Sequence, residues 1–376
     1  MNKLYLIIAV ALLISCVPEK EYKPILSYAN TPEGNFEAFW NGIDQNYVFF
    51  NQDSTDWDKI YRFYKPMVNS KTTPEQLFYI FGNMMRPLID HHKELRADGL
   101  GNINVISYGY TQTHRIDTNL IFVSLSYLDN NDRMYLYGSA GNEDQIEMAI
   151  GKIKNHNILY WKVDFYGDAL VNSTNRAAQI QNFDNYLRTS YQSVNGLILD
   201  LRYNGGGDAR EFASITSRFI SSDYQWGYSQ IRLQADRHTM SPMIPETVKA
   251  NSTSFVNKKV VVLVNRYSFS APEVTTMALG SLPNVTVIGD TTGGATGPYI
   301  PQLDDTDALK EYTFGYYLPN KWYVQLAQKV TYDINKTNYE GRGYPPDIRV
   351  VTDKTLLDNN IDNQLEAAIS VINSGK

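Results

Sequence analysis

Lys259-Val260-Val261-Val262-Leu263-Val264-Asn265-Arg266-Tyr267-Ser268-Phe269-Ser270-Ala271-Pro272-Glu273 joins an apolar, β-branched run to a short polar turn and then to a helix start. A buried strand is expected over Val260 to Asn265 and a helix over Ala271 to Leu282. Ser270 then stands at the mouth of that helix, where the first N–H groups lack intrahelical partners and can steady an anion. A serine there suits two roles, a plain N-cap or a nucleophile.

The same alternation extends on both sides. Strands are expected at Ile158 to Phe165, Gly196 to Leu199 (running into Asp200) and Val285 to Gly289; helices are expected at Ala177 to Tyr191, Asp208 to Ile220 and Ile361 to Ile372. Apolar strands alternating with helices predict an α/β domain with a mostly parallel sheet covered on both faces, over residues 157–376. Upstream, Phe36, Phe39, Trp40, Ile43 and Tyr47 recur at helical spacing, as do Trp57, Ile60, Tyr61 and Tyr64. Thr73-Pro74-Glu75 opens a further helix with Leu77, Ile80, Phe81, Met84 and Leu88 on its apolar side. These segments predict a helical domain over residues 33–100. Residues 101–156 read as a small α+β insert, with strands at Ile103 to Tyr110, Leu120 to Tyr127 and Met134 to Tyr137 and a helix at Asp144 to Lys154.

The chain has 376 residues and a net charge of −6 with acids and bases interspersed, and no basic stripe, so a nucleic-acid partner is not expected. Its 28 tyrosines suit half-buried packing and also peptide contact. Lys3 precedes an apolar run, Leu4 to Ile14, that is short for a membrane span and ends at Leu13-Ile14-Ser15-Cys16. That ending resembles a bacterial lipobox, with Cys16, the single cysteine, as the lipidated residue. The alternative is an ordinary signal peptide or membrane anchor with an incidental cysteine. Residues 1–16 are therefore expected to be a lipoprotein signal and 17–32, with Pro18 and Pro24, a tether. The expected location is the bacterial cell envelope, lipid-anchored on the periplasmic face or the cell surface.

Asp200-Leu201-Arg202-Tyr203-Asn204-Gly205-Gly206-Gly207-Asp208 is a second loop at a strand's carboxyl end, where open α/β sheets place their sites. Its bare N–H groups could form an anion nest or simply a tight turn, and it matches neither nucleotide-binding glycine pattern. A nucleophilic serine needs a base. Of the five histidines, His91 and His92 are adjacent, at the end of the helical segment, whereas His114, His156 and His238 read as surface or packing residues. Tyr339-Glu340-Gly341-Arg342-Gly343-Tyr344-Pro345-Pro346-Asp347 offers a carboxylate in a Gly/Pro-rich loop.

Asp90-His91-His92, Asp200 to Gly207, Ser270-Ala271-Pro272-Glu273 and Glu340 to Asp347, in that order, resemble the tail-specific, or C-terminal-processing, serine proteases. The resemblance covers residues 33–370 and implies a ClpP/crotonase-like catalytic domain. One branch of that family uses a lysine in a loop that here reads Thr292-Gly293-Gly294-Ala295-Thr296-Gly297, with Ala295 in the lysine's place. The chain is thus similar to the tricorn-like branch, which uses serine, histidine and glutamate. The resemblance implies Ser270 as nucleophile, His92 (or its neighbour His91) as base, Glu340 as the orienting acid, and the N–H groups of Gly206 and Ala271 as oxyanion hole. It implies an acyl-enzyme, a peptide or protein substrate, and no metal or nucleotide cofactor. Residues 101–156 show no glycine-rich carboxylate-binding loop of a PDZ domain. Two functions are compatible: a serine peptidase acting on peptides or protein tails outside the cytoplasm, or a catalytically inactive lipoprotein that binds a peptide or small ligand on the same scaffold.

Overall fold

The computed structural model describes residues 23–97, 100, 105–108, 119–137, 146–167, 177–207, 209–233, 236–251, 257–297 and 315–374. Cys16 and the expected export signal lie outside them, as does half of Ile103 to Tyr110. Among the described residues, no helix is long and apolar enough to cross a membrane.

Three helices come first: α1 (Pro32–Asn46), α2 (Trp57–Tyr64) and α3 (Pro74–Met85). Each starts at a side-chain cap, from Thr31, Asp56 and Thr73, and Thr73 forms a capping box with Gln76. Their aromatic stripes meet in one core, where Phe39 stacks on Phe81 with centroids 4.0 Å apart. The chain continues through β1 (Glu94–Arg96), β2 (Val105–Ser107), α4 (Asn119–Ser126), β3 (Leu128–Tyr137), β4 (Ile146–Ile153), β5 (Ile158–Val163), α5 (Ala177–Ser193), β6 (Gly196–Asp200) and α6 (Ala209–Thr216). Then come β7 (Tyr224–Ile231), β8 (Ile244–Val248), β9 (Lys259–Val264), α7 (Ala271–Gly280), β10 (Val285–Gly289), β11 (Gly315–Tyr317), β12 (Tyr323–Gln325), β13 (Lys329–Asp333), β14 (Ile348–Arg349), α8 (Lys354–Asp358) and α9 (Asn363–Ser374).

The main sheet has seven strands in the order β14-β10-β9-β6-β5-β4-β3. From β14 to β5 the pairing is parallel; β4 and β3 are added antiparallel at one edge. Alternation along each central strand divides its side chains between two cores. Val260, Val262 and Val264 join Trp161, Leu197 and Leu199 on one face, under Phe183 and Leu187 of α5. Val261 and Leu263 join Tyr160 and Ile198 on the other, under Leu365, Ile369 and Ile372 of α9. Both faces are therefore covered, as an apolar β-branched run requires. The carboxyl ends of β5, β6, β9 and β10 all reach one edge, and their loops converge there.

Two sequence expectations are corrected. Leu120 to Tyr127 is not a strand: α4 occupies most of it, with Leu120 and Val123, one turn apart, packed on Leu357. Asp144 to Lys154 is not a helix: Ile146–Ile153 is β4, paired on both sides. A strand flanked on both edges and buried on both faces loses the two-residue alternation that would have marked it. β3 and β4 consequently extend the main sheet. Two smaller antiparallel sheets, β11-β12-β1-β2 and β13-β7-β8, connect the helical part to the rest, with Leu95 of β1 opposite Val324 of β12.

Candidate active site

Ser270 lies between β9 and α7 with φ 69° and ψ −119°, a backbone region that non-glycine residues avoid. An ordinary N-cap residue is extended, so this conformation speaks against a capping role alone. It is held by Glu273. The buried Glu273 carboxylate accepts N–H groups from Ser270 (3.0 Å), Gly294 (2.7 Å) and Ala295 (2.7 Å), and the Thr292 hydroxyl (2.6 Å). Burial pushes the Glu273 carboxyl up, and these four donors oppose that shift. Ser-x-x-Glu reads in sequence as a capping box; here it also ties the serine turn to the loop after β10.

That loop is where a Ser-Lys enzyme would present its lysine. Ala295 is buried, with its N–H on Glu273. The far end of the same loop rests on Glu340, whose carboxylate accepts the N–H of Gly297 (2.7 Å) and the Thr296 hydroxyl (3.3 Å). One six-residue stretch is thus clamped between two buried glutamates.

His92 Nε2 lies 2.9 Å from Ser270 Oγ. The imidazole is 7% exposed and its ring leans on Phe269 at 5.1 Å. Its backbone is pinned from both sides: its N–H donates to Asp90 Oδ1 (2.8 Å) and its carbonyl accepts from Gln325 Nε2 (3.0 Å). His91 turns away, with Nδ1 3.1 Å from Gly293 O and its N–H on Glu340 Oε1 at 3.1 Å. Of the adjacent pair, His92 is therefore the one at Ser270. Burial pulls both imidazoles below their solution value of 6.5, so His92 is held neutral and able to accept a proton.

Asp90, His92 and Glu340, all buried, each bring one donor atom to within 4.8 Å of the others. Glu340 thus lies near His92, and Asp90, not anticipated as a functional residue, lies there too. The Asp90 carboxylate also accepts the Ala327 N–H (2.7 Å). Burial raises both carboxyls, and the nearness of Asp90 pushes Glu340 higher still. Carboxylates already taken by main-chain N–H groups, beside an imidazole whose Nε2 faces a serine, suit a proton relay better than a cation. The sequence signal for Asp90 was its place directly before the histidine pair.

The expected oxyanion donors fare differently. In the first turn of α7, Pro272 has no N–H, and Glu273 and Val274 N–H both go to Ser270 O, which leaves the Ala271 N–H. Gly206 abuts the nucleophile: a Cβ there would come within 2.8 Å of Ser270 Cβ. Its N–H, however, donates to Asn204 Oδ1 at 2.9 Å, which corrects its assignment as a ready donor. The cause is an Asx turn that sequence reading did not weigh. Asn204 also donates Nδ2 to Val163 O (2.9 Å) and accepts the Phe269 N–H (3.0 Å), lacing the glycine loop to β5 and to the serine turn.

Acyl transfer by serine is the chemistry such a pair is arranged for. Residues 165–350 match Peptidase family S41 and residues 20–86 match the Tricorn protease C1 domain, together more than half of the chain. The chain belongs to the C-terminal-processing serine peptidase family. It is 27% identical over 212 residues to a "Probable CtpA-like serine protease" of Staphylococcus haemolyticus, covering 56% of this chain and 38% of that one. It is also 27% identical over 166 residues to the "Carboxy-terminal processing protease CtpA" of Bacillus subtilis, covering 44% of this chain and 32% of that one. The matched segments therefore span well under half of these curated relatives. A crystal structure of a "putative peptidase" from Parabacteroides merdae superposes with a TM-score of 0.73 at 27% identity, covering 92% of this chain and 97% of that one.

Proposed function

We propose that this protein is a serine-type peptidase that hydrolyses peptides or protein tails through an acyl-enzyme, outside the cytoplasm. The observation that carries the proposal is the 2.9 Å contact between His92 Nε2 and the Oγ of a conformationally constrained Ser270. His92 Nε2 takes the Ser270 proton as Oγ attacks the peptide carbonyl carbon. The Ala271 N–H supports the resulting oxyanion, and the buried carboxylate of Glu340 balances the imidazolium. His92 then gives the proton to the leaving amine as the C–N bond breaks, and water, with His92 again as base, releases the acid. Neutral His92 and a local negative charge favour the first step. Anchoring through a lipid on Cys16 is part of the proposal and rests on Leu13-Ile14-Ser15-Cys16.

One observation favours the second reading, a peptide-binding lipoprotein without turnover: the Gly206 N–H is already donated to Asn204 Oδ1, which leaves Ala271 of the two expected oxyanion donors. A fluorophosphonate probe, read beside hydrolysis of a peptide library, separates the two. Wild type labelled at Ser270 and cleaving peptides, with Ser270→Ala doing neither, supports the peptidase. Labelling without cleavage supports the binding protein. Equal labelling of both forms removes Ser270 as nucleophile.

A further inference from the structure

We propose that the acid behind His92 is a pair, Asp90 and Glu340, sharing one negative charge and one proton, which makes Asp90 a second positioning residue for the base. The effect on rate rests on the peptidase reading; the charge sharing does not, and it is measured separately below. One oxygen from each carboxylate and one ring nitrogen of His92 lie within 4.8 Å of one another, and all three side chains are buried. Two full negative charges that close, away from water, repel strongly, so one proton is retained between them.

Both carboxylates accept main-chain N–H groups. Asp90 accepts main-chain N–H groups from His92 (2.8 Å) and Ala327 (2.7 Å); Glu340 accepts them from His91 (3.1 Å) and Gly297 (2.7 Å). Asp90 also accepts the Lys93 N–H and Glu340 the Thr296 hydroxyl (3.3 Å), and each acid holds a different neighbour of the base. Lys93 from the same turn, Asp53 and Tyr47 from the segment after α1, Glu273 from α7, and His91 complete the titratable surroundings. Lys93 is buried as well; its Nζ donates to Leu88 O and sits 4.4 Å from the Tyr108 ring, so it adds a nearby positive charge without neutralising either acid alone. When His92 takes the serine proton, the charge on the pair shifts toward whichever oxygen better faces the imidazolium.

The plain alternative is that Asp90 only shapes the turn, with Glu340 acting alone. Asp90→Asn and Glu340→Gln both keep a carbonyl acceptor and distinguish these cases. Infrared spectra at neutral pH are expected to show a protonated carboxyl band that vanishes in each single variant, because the acid left behind ionises alone. In a Ser270→Ala background, NMR titration of His92 is expected to move by less than one unit in either single variant and by more in the double variant. Fluorophosphonate labelling should fall by no more than about tenfold in each single variant and by about a hundredfold or more in the double. A Glu340→Gln protein as impaired as the double variant, or a carboxyl band unaffected by Asp90→Asn, overturns the pair. The infrared and NMR readouts need no turnover, so a protein that never reacts with the probe refutes the peptidase reading while leaving the charge sharing to be judged on its own.

Discussion

At Ser270 a φ of 69° costs about 1–3 kcal/mol relative to a relaxed residue. Such strain persists only where surrounding bonds impose it, and here they come from Glu273. The electrostatics of His92 give a testable pH dependence. The base acts in its neutral form, and burial pulls it below the solution value of 6.5. Its proton is therefore lost at a lower pH than from free histidine, and the acid limb of activity shifts downward. The rate of fluorophosphonate labelling against pH should stay near its plateau well below pH 6.5, and a half-maximal point at or above that value would contradict it. Gly206 gives a second test at this scale. Alanine there places a Cβ within 2.8 Å of Ser270 Cβ, at a φ of 106° that alanine avoids. Gly206→Ala should lower labelling by about a hundredfold, and wild-type kinetics would show that the glycine loop has room to move.

Among the elements, the decisive unit is the stretch from Thr292 to Gly297, in the loop that follows β10. Its main-chain N–H groups brace the serine turn through Glu273, while the base comes from His92. Glu273→Ala removes the acceptor for three main-chain N–H groups and one hydroxyl. Each buried donor left without a partner costs about 1–3 kcal/mol. Urea unfolding should therefore show a loss of at least about 3 kcal/mol, with labelling of Ser270 falling in parallel; a variant of normal stability and reactivity would reduce Glu273 to an ordinary cap. The strands and helices around the site were readable because β5, β6 and β9 are short apolar runs and α5 and α7 follow them. α4 and β4 were not, since a buried apolar segment looks alike whether it packs by turns or by pleats.

Across the whole molecule, the site is assembled from distant parts: His92 follows the helical segment, Ser270 follows β9, and Glu340 precedes β14. Behind it, Arg202 is fully buried and ties the glycine loop to the carboxyl-terminal helix, donating to Asp200 (2.6 Å), Asp362 (2.8 Å), Gln364 (2.9 Å) and Ser124 (3.2 Å). Burial acts to raise Asp200, but Arg202 and Lys162 outweigh it and pull that carboxyl from 3.8 down to about 2. With the folded value depressed, the stability from this group is present above pH 3.8 and is lost as pH falls through about 2. Arg202→Met removes the cation shared by two buried carboxylates and should cost about 3–5 kcal/mol in urea unfolding; an unchanged midpoint would mean that the network is dispensable. The order of motifs along the chain determined the parallel sheet, the serine at its carboxyl edge, the absence of a lysine at Ala295 and the candidates His92 and Glu340. Only the tertiary structure decided which of two adjacent histidines reaches Ser270 and that Asp90 joins Glu340 beside it. Local periodicity encodes burial, whereas the direction of a ring or an N–H depends on bonds to residues hundreds of positions away.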